Sequence, residues 1–228
     1  MLDFGFYNMD CMDGMKQLIA QNFKADFLLT DIPYGEVNRE SNGIRNLDKG
    51  KADIKTFDLI KFLPLADEII TGTFIIFCGK GQISEIFNFF TNKGYSTRLL
   101  VWEKNNPSVL NGQNVYLSGI ETAVYAKKKN ATFNGFCKNT VFRCPVPKSD
   151  IHPTQKPLKL WYELINDNTK IKDVVLDTCC GSGTTLVACQ KLNRKYIGFE
   201  KDKDCYEAAS KRLNDFKNQI SMFDEVGK

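Results

Sequence analysis

Asp31-Ile32-Pro33-Tyr34-Gly35 directly follows the apolar run Ala25 to Leu29 and the residue Thr30, so an acid and an X-Pro turn stand at the end of a strand. The carboxyl edge of an open α/β sheet is where such folds bind ligands. The chemistry that Asp31, Ile32, Pro33 and Tyr34 fit is methylation of an aromatic amine. An exocyclic amino group is a poor nucleophile because its lone pair is delocalised into the ring. Two acceptors on its hydrogens, the Asp31 carboxylate and the Ile32 carbonyl, would draw that pair out of conjugation. The nitrogen could then attack a sulfonium methyl in line, without a covalent enzyme intermediate. Tyr34 would stack on a base pulled out of a duplex, an interaction worth about 1–3 kcal/mol. The same pentapeptide is ordinary turn chemistry in any protein, so alone it decides nothing.

A second constellation runs from Asp173 to Leu213. The strand Asp173-Val174-Val175-Leu176-Asp177 leads through Thr178-Cys179-Cys180 into the glycine turn Gly181-Ser182-Gly183-Thr184-Thr185. A helix follows, then a strand ending in Glu200. Glycines let the backbone turn tightly and approach a ligand closely. An acid about 20 residues on, at the tip of the next strand, can hold both hydroxyls of a ribose. The turn is neither G-x-G-x-x-G nor a P-loop, and a tight strand-to-helix turn without ligand is the competing reading. Upstream, His152-Pro153-Thr154-Gln155-Lys156-Pro157 stiffens the entry to a helix. Such an N-terminus with a lysine favours a carboxylate, as a methionine-type cofactor would supply. A capped helix with a solvated lysine fits equally.

These groups need a frame to hold them. Apolar bursts alternate with helical stretches, the pattern of an α/β fold that is doubly wound about a mostly parallel sheet. Strands are predicted at Phe4 to Met9, Ala25 to Asp31, Thr73 to Cys78, Thr97 to Glu103, Glu121 to Ala126, Asp173 to Asp177 and Tyr196 to Glu200. Helices are predicted at Met12 to Gln21, Gly81 to Asn92, Leu158 to Asn166, Thr184 to Leu192 and Lys203 to Lys217. Gly35 to Thr56 and Lys127 to Ile151 break the rhythm, and loops of that length tend to be functional or disordered. The 228 residues, 43% apolar, bury one core. A net charge of +4 permits a polyanionic partner without demanding one. The sequence contains no run long enough to span a membrane and no signal-peptide pattern. Eight cysteines with one histidine and no C-x-x-C pair point to reduced, structural thiols, no metal site and a cytoplasmic setting.

The two constellations, in this order, resemble the β class of DNA amino-methyltransferases, N6-adenine and N4-cytosine methylases with a D-P-P-Y or S-P-P-Y motif upstream of H-P-T-Q-K-P and D-P-F-x-G-S-G-T-T. Tyr7 to Cys11 resembles the family's G-D-C element, Val101 to Pro107 its W-x-K-N-N-P segment, and Tyr206 to Leu213 its Y-x-x-x-A-x-x-R-L helix. The resemblance spans Phe4 to Leu213. It implies the Rossmann-like fold of S-adenosylmethionine-dependent methyltransferases, with one domain over residues 1–228: a catalytic half 1–126, a basic candidate DNA-recognition segment 127–151 and a cofactor half 152–217. The implied cofactor set is Asp10, Cys11, Asp31, His152, Thr154, Gln155, Lys156, Asp177, Cys179, Gly181, Ser182, Gly183, Thr184, Thr185, Glu200 and Lys201.

The expected DNA contacts are Arg39, Arg45, Lys104, Asn105, Asn106, Lys127, Lys128, Lys129, Lys138 and Arg143. A solvated charge run is the plainer reading of several of them. The implied function is methylation of adenine N6 in a specific double-stranded DNA sequence with base flipping. Adenine is favoured because the tetrad begins with Asp. A cognate restriction endonuclease and a homodimer are compatible with the resemblance but not required by it. Three departures stand out. The region between Lys127 and Asp150 is short, which leaves little machinery for reading a long site. Ile32 replaces the first proline and should loosen the turn, and Thr178-Cys179 replaces Pro-Phe and should weaken an apolar wall. N4-cytosine methylation, a non-catalytic cofactor- or DNA-binding subunit, and an RNA or small-molecule methylase are the alternatives.

Overall fold

A computed structural model describes residues 1–34, 57–109, 112–148 and 155–226, with side chains up to 218. Among these residues lie eight strands: β1 (Gly5–Asn8), β2 (Ala25–Asp31), β3 (Ile70–Cys78), β4 (Ser96–Lys104), β5 (Ile120–Lys127), β6 (Val141–Cys144), β7 (Val174–Asp177) and β8 (Lys195–Glu200). Six helices accompany them: α1 (Cys11–Ala20), α2 (Leu59–Ile69), α3 (Ile83–Asn92), α4 (Leu158–Asn168), α5 (Thr184–Lys191) and α6 (Lys203–Val226). The strands form one sheet in the order β1-β8-β7-β2-β3-β5-β4-β6. Only β5 runs against its neighbours β3 and β4, which makes the sheet mostly parallel.

Strand alternation divides the core between two faces. Leu28, Phe74, Ile76, Val124 and Ala126 point towards Met15 and Leu18 of α1, Phe62 of α2 and Phe90 of α3. Phe27, Leu29, Ile75, Phe77 and Ala123 point the other way, towards Leu160, Trp161 and Leu164 of α4 and Cys189 of α5. Strands apolar on both faces are what a sheet covered by helices on both sides requires. No helix of the described residues is long and apolar enough to cross a membrane.

Two elements were not expected from the sequence. Helix α2 starts where the Asp58 carboxylate accepts from Lys61 N at 3.1 Å and buries Leu59, Phe62, Leu63, Ala66 and Ile69. That spacing is one helix face, but Pro64 interrupts it and the helix runs into β3 without a loop. Strand β6 lies inside the basic stretch expected to be irregular and pairs parallel to β4, with Trp102 Nε1 donating to the Cys144 carbonyl at 2.9 Å. Helix α6 extends beyond the predicted Lys217 to Val226.

Gly198 of β8 shows how tightly the cofactor half is packed. A Cβ there would meet Cys180 Sγ at 2.6 Å, Leu186 Cδ2 at 2.9 Å and Phe6 Cδ2 at 3.2 Å. Cys180 and Leu186 are themselves buried and have no free volume to move into. Gly198→Ala should lower stability by about 1–3 kcal/mol, the usual cost of overpacking. Urea unfolding that gives a variant as stable as the parent would contradict this packing.

Candidate functional site

Strands β2 and β7 are adjacent, with Phe27 opposite Val175 and Leu28 opposite Leu176. From this pair the sheet grows one way through β8 to β1 and the other way through β3. A crevice opens at the carboxyl ends where strand order reverses, the usual ligand position of a doubly wound sheet. Thr30 Oγ1 and Thr178 Oγ1 bridge it at 2.9 Å, both residues being buried. The substitution at Thr178 thus supplies a hydrogen bond between the two halves in place of the proline of the family pattern.

On the β2 side, the turn is firmer than expected. Ile32 is 1% exposed within the core, and its N–H donates to the Phe77 carbonyl at 3.1 Å. A proline there would lose both the bond and the side-chain packing, so the expected loosening at Ile32 is not what the structure has. Gln82 secures the next residue: its Nε2 donates to the Pro33 carbonyl at 3.0 Å while its Oε1 accepts from Gly79 N at 2.9 Å. Gly79 leaves room for Tyr34, whose Cβ would stand 3.1 Å from a side chain at that position. The Tyr34 hydroxyl donates to Asp31 Oδ1 at 2.7 Å.

Asp31 belongs to a chain of charges that the sequence reading did not contain. Lys156 Nζ reaches Asp31 Oδ2 at 2.7 Å and Glu121 Oε2 at 2.5 Å. Lys104 Nζ holds Glu121 Oε1 at 2.9 Å. The Lys156 side chain is only 7% exposed, so its ammonium is turned into the sheet edge. That differs from the expectation that it would await a cofactor carboxylate. The reason is that an unpaired buried ammonium is costly and two carboxylates lie within reach. Burial disfavours the Lys156 charge, but Asp31 and Glu121 outweigh it and raise its pKa. Burial pushes Glu121 up, and the two lysines bring it below its ordinary value. For Asp31, burial prevails over Lys156 and leaves the carboxyl above its usual range.

Across the crevice, Gly181 and Gly183 adopt φ values of +49° and +73°, which explains why glycine is needed at both. A Cβ on Gly181 would meet nothing within 4 Å, so the turn faces open space. Glu200 stands at the tip of β8, its Oε2 accepting from Gly181 N at 2.7 Å and its Oε1 from Asp202 N at 2.9 Å. Asp10 caps α1 by accepting from Met12 N at 2.9 Å and pairs with Lys201 at 2.8 Å. Asn8 Nδ2 ties β1 to the Glu200 carbonyl at 2.9 Å. Cys179 and Cys11 meet side chain to side chain. Ser182, Thr184 and Thr185 are buried and build the turn itself: the Ser182 and Thr184 hydroxyls are 3.1 Å apart, and Thr185 Oγ1 accepts from Trp161 Nε1 at 2.8 Å. Gln155 opens the described segment leading to α4, whereas His152 and Thr154 lie outside the described residues.

The basic residues expected to meet DNA do not share one surface. Lys104 and Arg143 end β4 and β6 at the Asp31 edge, and Asn105 and Asn106 follow there, both exposed. Arg143 pairs with Glu103 at 3.0 Å. Lys127 sits opposite Thr73 and Ser96, at the other end of the sheet, with Lys128 and Lys129 just beyond it. An eight-residue strand separates the two ends by on the order of 20 Å. Lys128 Nζ is held by Asp67 and by the Ile70 carbonyl, and Lys138 by Asp167 and Glu163. Arg39 and Arg45 lie outside the described residues. Glu121 and Gln82 are the site residues that the sequence reading missed. An acid heading an otherwise apolar strand was the available signal for Glu121.

Asp177, at the end of β7, is 3% exposed. Burial raises its pKa to about 7, against the opposing bonds from Thr185, Cys179 N and Thr30. A carboxyl whose folded pKa exceeds its ordinary value of 3.8 binds more protons in the folded state, so stability falls as pH rises from about 4 to 7. The full effect is about 4 kcal/mol at most. Asp177→Asn should remove this fall and stabilise the ligand-free protein above pH 7. Thermal melts across that range that show parallel curves for variant and parent would contradict it.

The N6/N4 family model for DNA methylases matches residues 126–211. A solved structure of an M1.HpyAVI–SAM complex is 32% identical to the chain, with a TM-score of 0.74 over 91% of this chain and 98% of that one. The Type II methyltransferase M2.DpnII of Streptococcus pneumoniae is 27% identical over 219 residues, 82% of each chain. The PvuII DNA methyltransferase (cytosine-N4-specific) shares the fold, with a TM-score of 0.69 at 16% identity over 95% of this chain and 92% of that one. With a crevice at the sheet's switch point, an acid-proline-tyrosine turn on one wall and a glycine turn on the other, the chain belongs to the family of DNA amino-methyltransferases.

Proposed function

We propose that this methyltransferase moves a methyl group from S-adenosylmethionine to the exocyclic N6 of an adenine flipped out of a specific double-stranded DNA sequence. The observation that carries the reading is the pairing of walls at one crevice. The Asp31 turn and the glycine turn are bridged by the Thr30–Thr178 bond at 2.9 Å. The residues fit the cofactor: the Gly181 turn faces open space, and the Glu200 carboxylate keeps lone pairs for ribose hydroxyls beside its two backbone bonds. Asp10, Cys11 and Cys179 are the further cofactor contacts that this reading assigns. When bound, S-adenosylmethionine supplies an electrophilic methyl on its sulfonium.

The protein's part is orientation and proton transfer. Asp31 accepts one amine hydrogen and the Ile32 carbonyl the other, freeing the nitrogen lone pair for in-line attack. The proton lost from the methylated nitrogen passes to an Asp31 oxygen and on to solvent. Tyr34, fixed through its hydroxyl to Asp31, offers its ring to the base. Adenine is preferred because the motif begins with an acid. Asn105, Asn106 and Arg143 are the DNA contacts we assign, since they flank the same edge. The same reading treats the chain as one methyltransferase domain in a cytoplasmic setting, and it is compatible with a homodimer and a cognate restriction endonuclease without requiring either.

Two substitutions separate the walls. Asp31→Ala should abolish transfer of labelled methyl to duplex DNA while cofactor affinity, read by calorimetry, stays within a few-fold. Glu200→Gln should weaken cofactor binding by about 1.5–3 kcal/mol, the range for hydrogen bonds to a charged group. Turnover by a folded Asp31→Ala protein, or unchanged affinity in the Glu200 variant, would refute the corresponding assignment.

A further inference from the structure

We propose that Glu121 is a positioning residue for the transfer reaction: it holds Lys156 in place, and Lys156 in turn keeps the Asp31 carboxylate aimed and ionised. The inference rests on the reading of Asp31 as the acceptor for the target amine. Glu121 enters the site from the one antiparallel strand, opposite Trp102 of β4, so it approaches from the direction that no parallel strand can. Asp31, Lys156, Glu121 and Lys104 alternate in sign through contacts of 2.7, 2.5 and 2.9 Å. Their formal charges sum to zero, the condition for keeping two carboxylates ionised in a largely buried cluster. The side-chain exposures of Asp31 and Glu121 are only 24% and 19%.

A lysine with one carboxylate partner can swing on its flexible stem. With two, and with the Tyr34 and Phe77 rings 5.6 and 5.7 Å from its Nζ, it has one place to sit. The two Asp31 oxygens are thereby assigned: Oδ1 to the Tyr34 hydroxyl and Oδ2 to Lys156. The amine is met by the lone pairs that these bonds leave. The groups facing Asp31 from every packed element are Tyr34 on its own turn, Cys78 of β3, Glu121 of β5, Lys156 ahead of α4 and Asp177 of β7. Lys156 is the only cation among them, and Glu121 is a like charge to Asp31.

As a positioning residue, Glu121 acts on the rate only through Lys156, which a merely structural role would not reproduce. Single-turnover methylation of duplex DNA at saturating cofactor is followed from pH 5 to 9 for the parent, Lys156→Met, Glu121→Gln and the double variant. Lys156→Met should move the acidic limb up by about one to three units, because a carboxylate loses its cation. Glu121→Gln should lower the plateau rate about tenfold or more as the acceptor loses its fixed aim. The same change made on top of Lys156→Met should lower it no further, because residues that act through one another are not additive. An acidic limb that stays put in Lys156→Met, or an equal loss from Glu121→Gln with and without Lys156, would overturn the proposal. If Lys156→Met does not fold, the plateau of Glu121→Gln decides alone: a rate equal to the parent's refutes it. Turnover by Asp31→Ala would instead sink the acceptor reading itself, a separate result.

Discussion

A carboxylate at the rim of an apolar sheet persists only if a cation compensates for the water it has lost. Here that cation is Lys156, and the bond it makes to Asp31 joins the end of β2 to the approach of α4. Much of the site follows from this requirement. Lys156 cannot be buried with a single exposed-edge partner, so Glu121 shares it, and Lys104 neutralises the second acid. The antiparallel course of β5 is what delivers Glu121 to an edge otherwise made of strand C-termini. The backbone around Asp31 is then fixed by neutral bonds, from Ile32 N to Phe77 and from Gln82 to Pro33, which add no charge to the cluster.

The opposite wall solves a different problem. Its glycine turn needs left-handed backbone at two positions and close approach of β8, which is why Gly198 has no room for a side chain. Glu200 stiffens the turn through Gly181 N while remaining at the open face. Asp177 is retained beneath it with its pKa raised to about 7. A strained acid of that kind sits where functional sites concentrate perturbed groups. The two walls meet through a hydroxyl pair instead of a charge.

How much of this the sequence disclosed depended on locality. Asp31 to Tyr34 and Asp177 to Thr185 were legible because each constellation is contiguous and its spacing is dictated by a turn. The alternation of apolar strands was legible for the same reason, and most element boundaries fell within a few residues. Glu121 was not, since its partners are 35 residues away at Lys156 and 17 away at Lys104; in a strand pattern it reads as one more edge residue. Lys156 was recognised as a site residue but not its target, because helix-terminus reasoning points a lysine outward. Lys127 to Lys129 looked continuous with Arg143, yet strand β5 ends at one edge of the sheet and β6 at the other. Helix α2 was hidden by Pro64 and by the absence of a loop before β3.

Methylation of an adenine amine in this crevice is tested by nucleoside mass spectrometry of mixed-sequence duplex DNA incubated with the protein and isotopically labelled S-adenosylmethionine. Labelled N6-methyladenine and no labelled cytosine product are expected. Labelled N4-methylcytosine would contradict the assignment of the base, and DNA without label beside a cofactor-bound, folded protein would contradict the assignment of the reaction.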